Sequence, residues 1–279
     1  MAVALAICAA ASWGLSDFLA GLASRRVAVP VVLLLVQAGG LVVVLTYAVV
    51  AGAPFFRDAT DVVSALAGGL SGVLGLGCFY RALAIGTMSV VAPISAAGVA
   101  LPVIVGLATG DRPSVGTSLG LAAIVAGVVL ASREGHGDEQ ARSAGRMSVA
   151  LALVAAVGFG GFFALTDAPA DQSVPWMLVL ARTAALPLVA AAAWRALPPL
   201  PSGRIAVGLA AVGTIDLAAT ALIGIANTKG ALSVVSVLGG MYPVSTVLLA
   251  AVVLGERLRA PQLAGVVLAL GGVAAVAGA

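Results

Sequence analysis

The chain is a succession of apolar runs of about 20 residues, separated by charges, prolines or clusters of glycine. A helix of that length crosses the hydrocarbon core of a bilayer. Each run is predicted to be a helix, because backbone groups in lipid must bond internally and no alternating barrel pattern is present. The sequence therefore predicts an all-α membrane protein with ten transmembrane helices, at residues 2–22, 28–52, 62–84, 88–108, 114–132, 147–166, 174–194, 204–226, 231–254 and 260–278.

Composition argues against a soluble protein. Hydrophobic residues make up 62% of the chain and charged residues 9%, whereas soluble domains carry about 25% charged residues. A soluble chain of this length could not hide so much apolar surface, since its outside faces water. Cys8 and Cys78 lie inside apolar runs and are expected to be buried thiols. The first run has no basic segment before it, so it is predicted to be a helix and not a cleaved signal peptide.

The one plainly aqueous stretch is SREGHGDEQARSAGR, residues 132–146, which contains the single histidine, His136. It carries charges of both signs and no apolar run, so it is expected to be a solvated linker between two halves. The predicted organisation is a first five-helix repeat at residues 1–132, a hydrophilic linker at 133–146 and a second five-helix repeat at 147–279.

The two halves repeat each other. The motif Gly-[Asp/Glu]-Arg stands at residues 110–112 and again 145 residues later, at 255–257. Because five helices are an odd number, the second copy must enter the membrane from the opposite side. This inverted-topology repeat is found in many transporters, where it allows alternating access to a site near the midplane. Further matching pairs are Val29-Pro30 with Val174-Pro175, Trp13-Gly14 with Phe159-Gly160, and Ser89-Val90-Val91 with Ser233-Val234-Val235.

These features carry a resemblance to a known family. An aromatic-Gly pair in the first helix of each half and the Gly-[Asp/Glu]-Arg motif before each last helix resemble the EamA family, within the drug/metabolite transporter superfamily. VVLGERLRAPQLAGVVLALGGV is similar to the end of an EamA repeat, and WGLSDFLAGLASRR to its start. The resemblance implies export of amino acids, metabolites, sugars or drugs, by proton coupling or exchange. Asp111 departs from the more usual Glu, which Glu256 keeps.

Orientation can be predicted from basic residues, which favour the cytoplasmic side. Ten arginines lie in or beside the loops of one face, and three basic residues lie at the other, so both termini are predicted outside a cytoplasmic (inner) membrane. The family resemblance implies both termini inside. The ten are Arg25, Arg26, Arg81, Arg133, Arg142, Arg146, Arg195, Arg204, Arg257 and Arg259; the three are Arg57, Arg112 and Lys229.

Few charges fall inside the predicted helices, and a charge there requires a partner, water or a function. Arg182 and Asp216 lie near the middle of the seventh and eighth helices and are predicted to pair, either as a substrate or proton site or as a permanent ion pair. Asp17, in the first helix, is a protonatable coupling residue, a solvated carboxylate near the interface, or the partner of a neighbouring arginine. Gln37 stands 145 residues before Arg182 and is expected to face the same cavity.

Aromatic residues and prolines supply the remaining candidates. Trp13, Tyr80 and Tyr242 are candidates to line a cavity, although aromatic side chains also anchor helices at membrane interfaces. Prolines kink helices, so proline-kinked helices in both halves are either gates or simply bent packing elements. The gating candidates, predicted inside the fourth and ninth helices, are Pro93, Pro102 and Pro243.

The function predicted is a secondary transporter that moves a small metabolite, amino acid or drug-like solute by alternating access, and exports it by proton coupling or exchange. The alternatives are a non-catalytic scaffold or channel subunit and an intramembrane enzyme. An enzyme is disfavoured because no histidine falls inside a predicted helix and no phosphate-binding loop is present. No cofactor, metal or nucleic acid is expected; the partners are the lipid bilayer, a small-molecule substrate and protons, and a homodimer is left open.

Overall fold

The computed structural model describes residues 1–101, 114–131, 139–196, 201–227, 238–239 and 241–278. All regular structure within these ranges is helical. The elements are α1 (Ala2–Ser24), α2 (Val29–Val50), α3 (Ala59–Ile85), α4 (Met88–Ala96) with a 3-10 turn (Ala97–Val99), α5 (Val115–Ala131), α6 (Glu139–Ala196), α7 (Gly203–Asn227), α8 (Tyr242–Val253) and α9 (Ala260–Gly278).

Element α6 is two helices joined at Ser173, whose φ of −161° and ψ of 94° are not helical. We call residues 139–172 its first arm and residues 174–196 its second arm. The first arm begins at Glu139, inside the segment predicted as a hydrophilic linker. Glutamate, glutamine, alanine and arginine favour helix, which accounts for a helix that starts before the apolar run does.

Within the described ranges, six helical segments are long and apolar enough to cross a bilayer. They are Ala2–Ser24, Val29–Val50, Ala59–Ile85, Ala144–Thr166, Ala168–Ala196 and Gly203–Ile223. Shorter apolar helices cover Val115–Leu130, Tyr242–Val253 and Ala260–Val276. The chain is therefore a multi-pass membrane protein, while the count of ten crossings stays a prediction because the fourth and ninth runs lie partly outside the described residues.

The surface of the helices is apolar, as a lipid environment requires. Val42, Leu74 and Val252 expose 65%, 57% and 82% of their surface, and each is in the body of a helix. Large exposed apolar areas are rare on soluble monomers and mark contact with lipid or a partner. The helices themselves meet through glycines, which let backbones approach closely in a bilayer.

Helices α5 and α9 form a symmetric pair. A Cβ atom on Gly272 would lie 2.6 Å from the carbonyl oxygen of Gly120, and one on Gly127 would lie 2.7 Å from that of Gly265. Gly265 and Gly272 follow Gly120 and Gly127 by 145 residues, so the two contacts interchange when the halves are exchanged. The start of one helix meets the end of the other. Equivalent helices that pack antiparallel are the arrangement expected of inverted repeats.

The same symmetry relates the helices around the centre. Gly69 of α3 packs directly on the backbone of Ala181 in the second arm of α6, and Gly213 of α7 packs directly on the backbone of Val36 in α2. Ala181 is the equivalent of Val36, 145 residues on, and Gly213 follows Gly69 by 144 residues. These crossings bring α2, α3, α7 and the second arm of α6 together where the mid-helix polar residues lie.

Candidate functional site

A polar cluster joins three helices near the middle of the membrane-spanning segments. Arg182, on the second arm of α6, donates a hydrogen bond from Nη1 to Oε1 of Gln37 on α2, at 2.9 Å. Its Nη2 atom forms a salt bridge of 2.6 Å with Oδ2 of Asp216 on α7. The predicted pairing of Arg182 with Asp216 is present, and Gln37 joins it as the third member.

The cluster is buried unevenly. The side chain of Arg182 is 7% exposed and that of Asp216 is 31% exposed. Asp216 contacts Arg182 through one carboxylate oxygen, and part of its side chain stays accessible. The buried Nε atom of Arg182 has no hydrogen-bond partner. A buried donor without an acceptor indicates that the cluster's hydrogen bonding is incomplete.

Gly40 makes room for the guanidinium group. A Cβ atom at this position would lie 2.6 Å from Nη1 of Arg182 and 2.7 Å from its Cζ. It would also lie 3.1 Å from the carbonyl oxygen of Gly213. A side chain larger than hydrogen at Gly40 would displace Arg182, so this glycine positions the arginine. Gly40 was missed from the sequence, because a glycine in a glycine-rich helix carries no sign of what it faces.

Asp17 lies beside this cluster without joining its hydrogen bonds. Its carboxylate is close enough to Asp216 for the two charges to repel. Within the described part of the chain, Asp17 has neither a hydrogen-bond nor an ion-pair partner. Arg25, a neighbouring arginine on the same helix, pairs instead with Glu256. The interpretation of Asp17 as the partner of a nearby arginine is therefore not supported.

The three aromatic candidates surround the acidic side chains. Tyr80, which is 2% exposed, lies within electrostatic range of Asp17, Asp216 and Arg182. Tyr242, in the first turn of α8, lies within range of Asp17. Its ring packs edge-on against Trp13, with the centroids 6.3 Å apart. The structure thus brings together all seven substrate or coupling candidates named from the sequence.

The proline candidates separate into three cases. Pro93 lies inside α4 and is buried, as predicted. Pro243 is in the first turn of α8, where the missing N–H group costs nothing, and its role as a gating residue stays a prediction. Pro102 lies outside the described residues. Of these three prolines, Pro93 is the one that lies inside a described helix beyond its first turn.

Glu256 of the repeated motif connects the two halves at one end of the bundle. Its carboxylate accepts hydrogen bonds from the backbone N–H of Met88 at 3.1 Å, and from the N–H and Oγ of Ser89 at 3.0 and 2.9 Å. Arg25 completes the group with a salt bridge of 3.4 Å to Oε1. The carboxylate therefore caps the start of α4, where a negative charge is favourable. We call these four residues the Glu256 cap.

The glycine of the motif has its own role. Gly255 adopts a φ of +65°, a left-handed conformation that glycine takes without steric cost. It follows Leu254, at the end of α8, and turns the chain so that Glu256 points back toward α4. The sequence analysis identified this motif by its repetition and assigned no partner to Glu256. The repetition indicated that the motif matters, but it could not predict the contact of Glu256 with Ser89, 167 residues away.

Metal chemistry finds no support in the described residues. No group of three or more His, Cys, Asp or Glu side chains is placed there to hold an ion. The arrangement instead brings an arginine and two carboxyl groups into the neighbourhood of aromatic rings.

The comparisons with known proteins agree with the fold. A solved structure, described as the crystal structure of a protein, is similar over 99% of this chain and 96% of its own, with a TM-score of 0.64 and 18% identity. That level of identity shows the fold alone. The chain matches none of the curated proteins with which it was compared. The model of the EamA-like transporter family matches residues 1–133 and again 146–278. The chain belongs to the EamA-like transporter family.

Proposed function

We propose that the protein is a secondary transporter that moves a small solute across the cytoplasmic membrane by alternating access. The observation that carries the proposal is the Arg182–Asp216–Gln37 cluster, which spans both halves at mid-membrane depth. A buried charge in a membrane helix costs about 2.5–3.5 kcal/mol on insertion scales. A permanent ion pair could offset that cost, but it would not require Asp17, which has no ion-pair partner among the described residues.

The two halves supply the moving parts. Residues 1–132 and 147–279 are related by an axis that passes close to Gln37 and Arg182, because these two equivalents contact each other. Exchange of the conformations of the two halves about that axis would open the cluster to one side of the membrane and then to the other. The Glu256 cap closes one end in the present conformation, and the proposal requires it to separate when that end opens.

Direction and coupling follow as the finer part of the proposal. The transporter exports a metabolite, amino acid or drug-like solute, driven by protons or by exchange. Asp17 and Asp216 are the groups that would carry the proton. Arg25 and Glu256 meet at one end of the bundle, and the excess of arginine predicted for that face supports a cytoplasmic position for it. Both termini then face outward, and a homodimer stays a prediction.

The test is counterflow in liposomes that contain the purified protein. Vesicles loaded with a pool of amino acids, nucleosides, sugars and amines should accumulate the labelled counterpart of the true substrate, and Asp216→Asn should abolish that accumulation. Asp171→Asn, at an exposed position near the end of the first arm of α6, is the matched control and should transport normally. A folded protein that moves no solute in any pool, at acidic or neutral pH, would support a scaffold subunit instead.

A further inference from the structure

Among the described residues, the central cluster holds two carboxyl groups and one guanidinium group. Asp17 and Asp216 contribute two carboxylates, and Arg182 contributes the one cation that contacts either of them. The remaining polar neighbours, Gln37 and Tyr80, are uncharged. An unbalanced carboxylate at membrane depth is costly. A bound proton or a positive charge brought by the ligand balances it, so a cationic ligand can take the place of the proton.

Asp17 is the carboxylate that remains available. Asp216 is held by Nη2 of Arg182 at 2.6 Å, whereas Asp17 has no hydrogen-bond or ion-pair partner among the described residues. The incomplete hydrogen bonding of the cluster is also visible at Nε of Arg182, which is buried without an acceptor. Both observations describe a site that its own side chains do not complete.

Aromatic rings lie where the body of such a ligand would sit. Trp13 precedes Asp17 by four residues, so the two side chains lie on one face of α1. Gly14 packs that face tightly against α8, since a Cβ atom there would lie 2.6 Å from the carbonyl oxygen of Tyr242. Tyr242 faces both Trp13 and Asp17. Aromatic faces attract organic cations, by about 2 kcal/mol or more when desolvated.

The symmetry-related interface, between α3 and the first arm of α6, shows that packing does not require these acids. Trp13-Gly14 aligns with Phe159-Gly160, so the position equivalent to Asp17 is Phe163. Gly69 and Gly213 make equivalent helix contacts and are 144 residues apart. The same offset makes Gly72 the equivalent of Asp216. At Gly72 the neighbour is the ring of Phe162, which would lie 3.0 Å from an added Cβ atom. The fold accepts Phe163 and Gly72 at the two equivalent positions. The carboxylates of Asp17 on α1 and Asp216 on α7 therefore serve something other than helix packing.

We infer that this site selects an organic cation, whose amine pairs with Asp17 and whose apolar body packs against Trp13 and Tyr242. The inference rests on the proposed transport function and narrows it to a substrate class. Asp17 is then the residue that sets charge selectivity, and the Arg182–Asp216 pair holds the helices that surround it.

The test uses three probes with the same aromatic body and different charge: phenethylamine, phenethyl alcohol and hydrocinnamate. The full-length protein in detergent is heated with each probe, since a ligand that binds the folded state raises the melting temperature. Phenethylamine and the larger cation tetraphenylphosphonium should stabilise the protein, and the alcohol and the carboxylate should not. Equal stabilisation by hydrocinnamate, or none by either cation, overturns the inference.

Variants assign the effect to Asp17. Asp17→Asn should raise the half-saturating concentration of phenethylamine by about tenfold or more, while Asp171→Asn should leave it unchanged. Asp17→Glu keeps the charge and should bind the amine, which guards against a loss caused by misfolding. Unchanged binding in a folded Asp17→Asn protein would contradict the assignment. Counterflow of a neutral or anionic solute would reject organic cations as the substrate class, while the proposed transport function would still hold.

Discussion

Arg182 donates its Nη1 hydrogen bond to Gln37, the residue at the equivalent position 145 places earlier in the chain. Two equivalents can touch only close to the axis that relates the halves, so this bond marks the axis. Arginine at both positions would place two like charges in contact, which is costly in a medium of low dielectric constant. The repeats therefore had to differ here, and the difference creates a single cation at the centre.

The ion pair can be tested by a double-variant cycle. Arg182→Gln or Asp216→Asn alone should each lower the free energy of unfolding by about 1–3 kcal/mol, because each leaves a charge without its partner. We use the lower part of the range for buried pairs because 31% of the Asp216 side chain is accessible. The double variant should lose less than the sum. Thermal unfolding in detergent measures all three, and strict additivity would argue against a direct interaction.

Gly40 should be sensitive to a single methyl group. Gly40→Ala places a Cβ atom 2.6 Å from Nη1 of Arg182, so the guanidinium must move and its bonds to Gln37 and Asp216 must lengthen. We expect a lower melting temperature and weaker ligand binding. Gly208→Ala is the control, because nothing lies within 4 Å of its added Cβ atom, and alanine in a helix should stabilise by up to about 1 kcal/mol. Equal melting temperatures for both variants would contradict the positioning role.

The Glu256 cap should stabilise the present conformation. Glu256→Gln replaces one acceptor oxygen with an amide that faces the N–H groups of Met88 and Ser89, and it removes the salt bridge to Arg25. We expect a loss of about 1–2 kcal/mol in unfolding free energy. Arg257→Gln changes the adjacent exposed residue of the motif and should have little effect. A further readout is alkylation of a cysteine placed at Ser89, which should react faster when Glu256 is changed.

Substitution of two adjacent glycines of α9 by valine should change the thermal stability by very different amounts. Gly272→Val would force a side chain into α5, where an added Cβ atom already lies 2.6 Å from the carbonyl oxygen of Gly120. Nothing lies within 4 Å of a Cβ atom on Gly271, so Gly271→Val should be tolerated. Thermal unfolding should show a large loss for the first and a small change for the second. The equivalent substitution Gly127→Val should resemble Gly272→Val, since the contacts are symmetric, and a tolerated Gly127→Val would argue against that symmetry.

The sequence by itself determined the membrane setting, the helical class and the duplication. Composition and the length of the apolar runs depend on local properties, and a repeat is legible as identity at a fixed offset. The pairing of Arg182 with Asp216 could also be predicted, because so few charges stand at mid-helix depth that the choice of partner is narrow. Gln37 followed from its offset alone.

Only the tertiary structure decided which face each helix turns inward. Helices that are apolar on every side carry little amphipathic signal, so rotation and crossing angle cannot be read from their periodicity. This is why Gly40 against Arg182, the unpaired state of Asp17, and the contact of Glu256 with Ser89 were not predicted. Each depends on how closely glycines let two backbones approach, a property of pairs of helices distant in sequence.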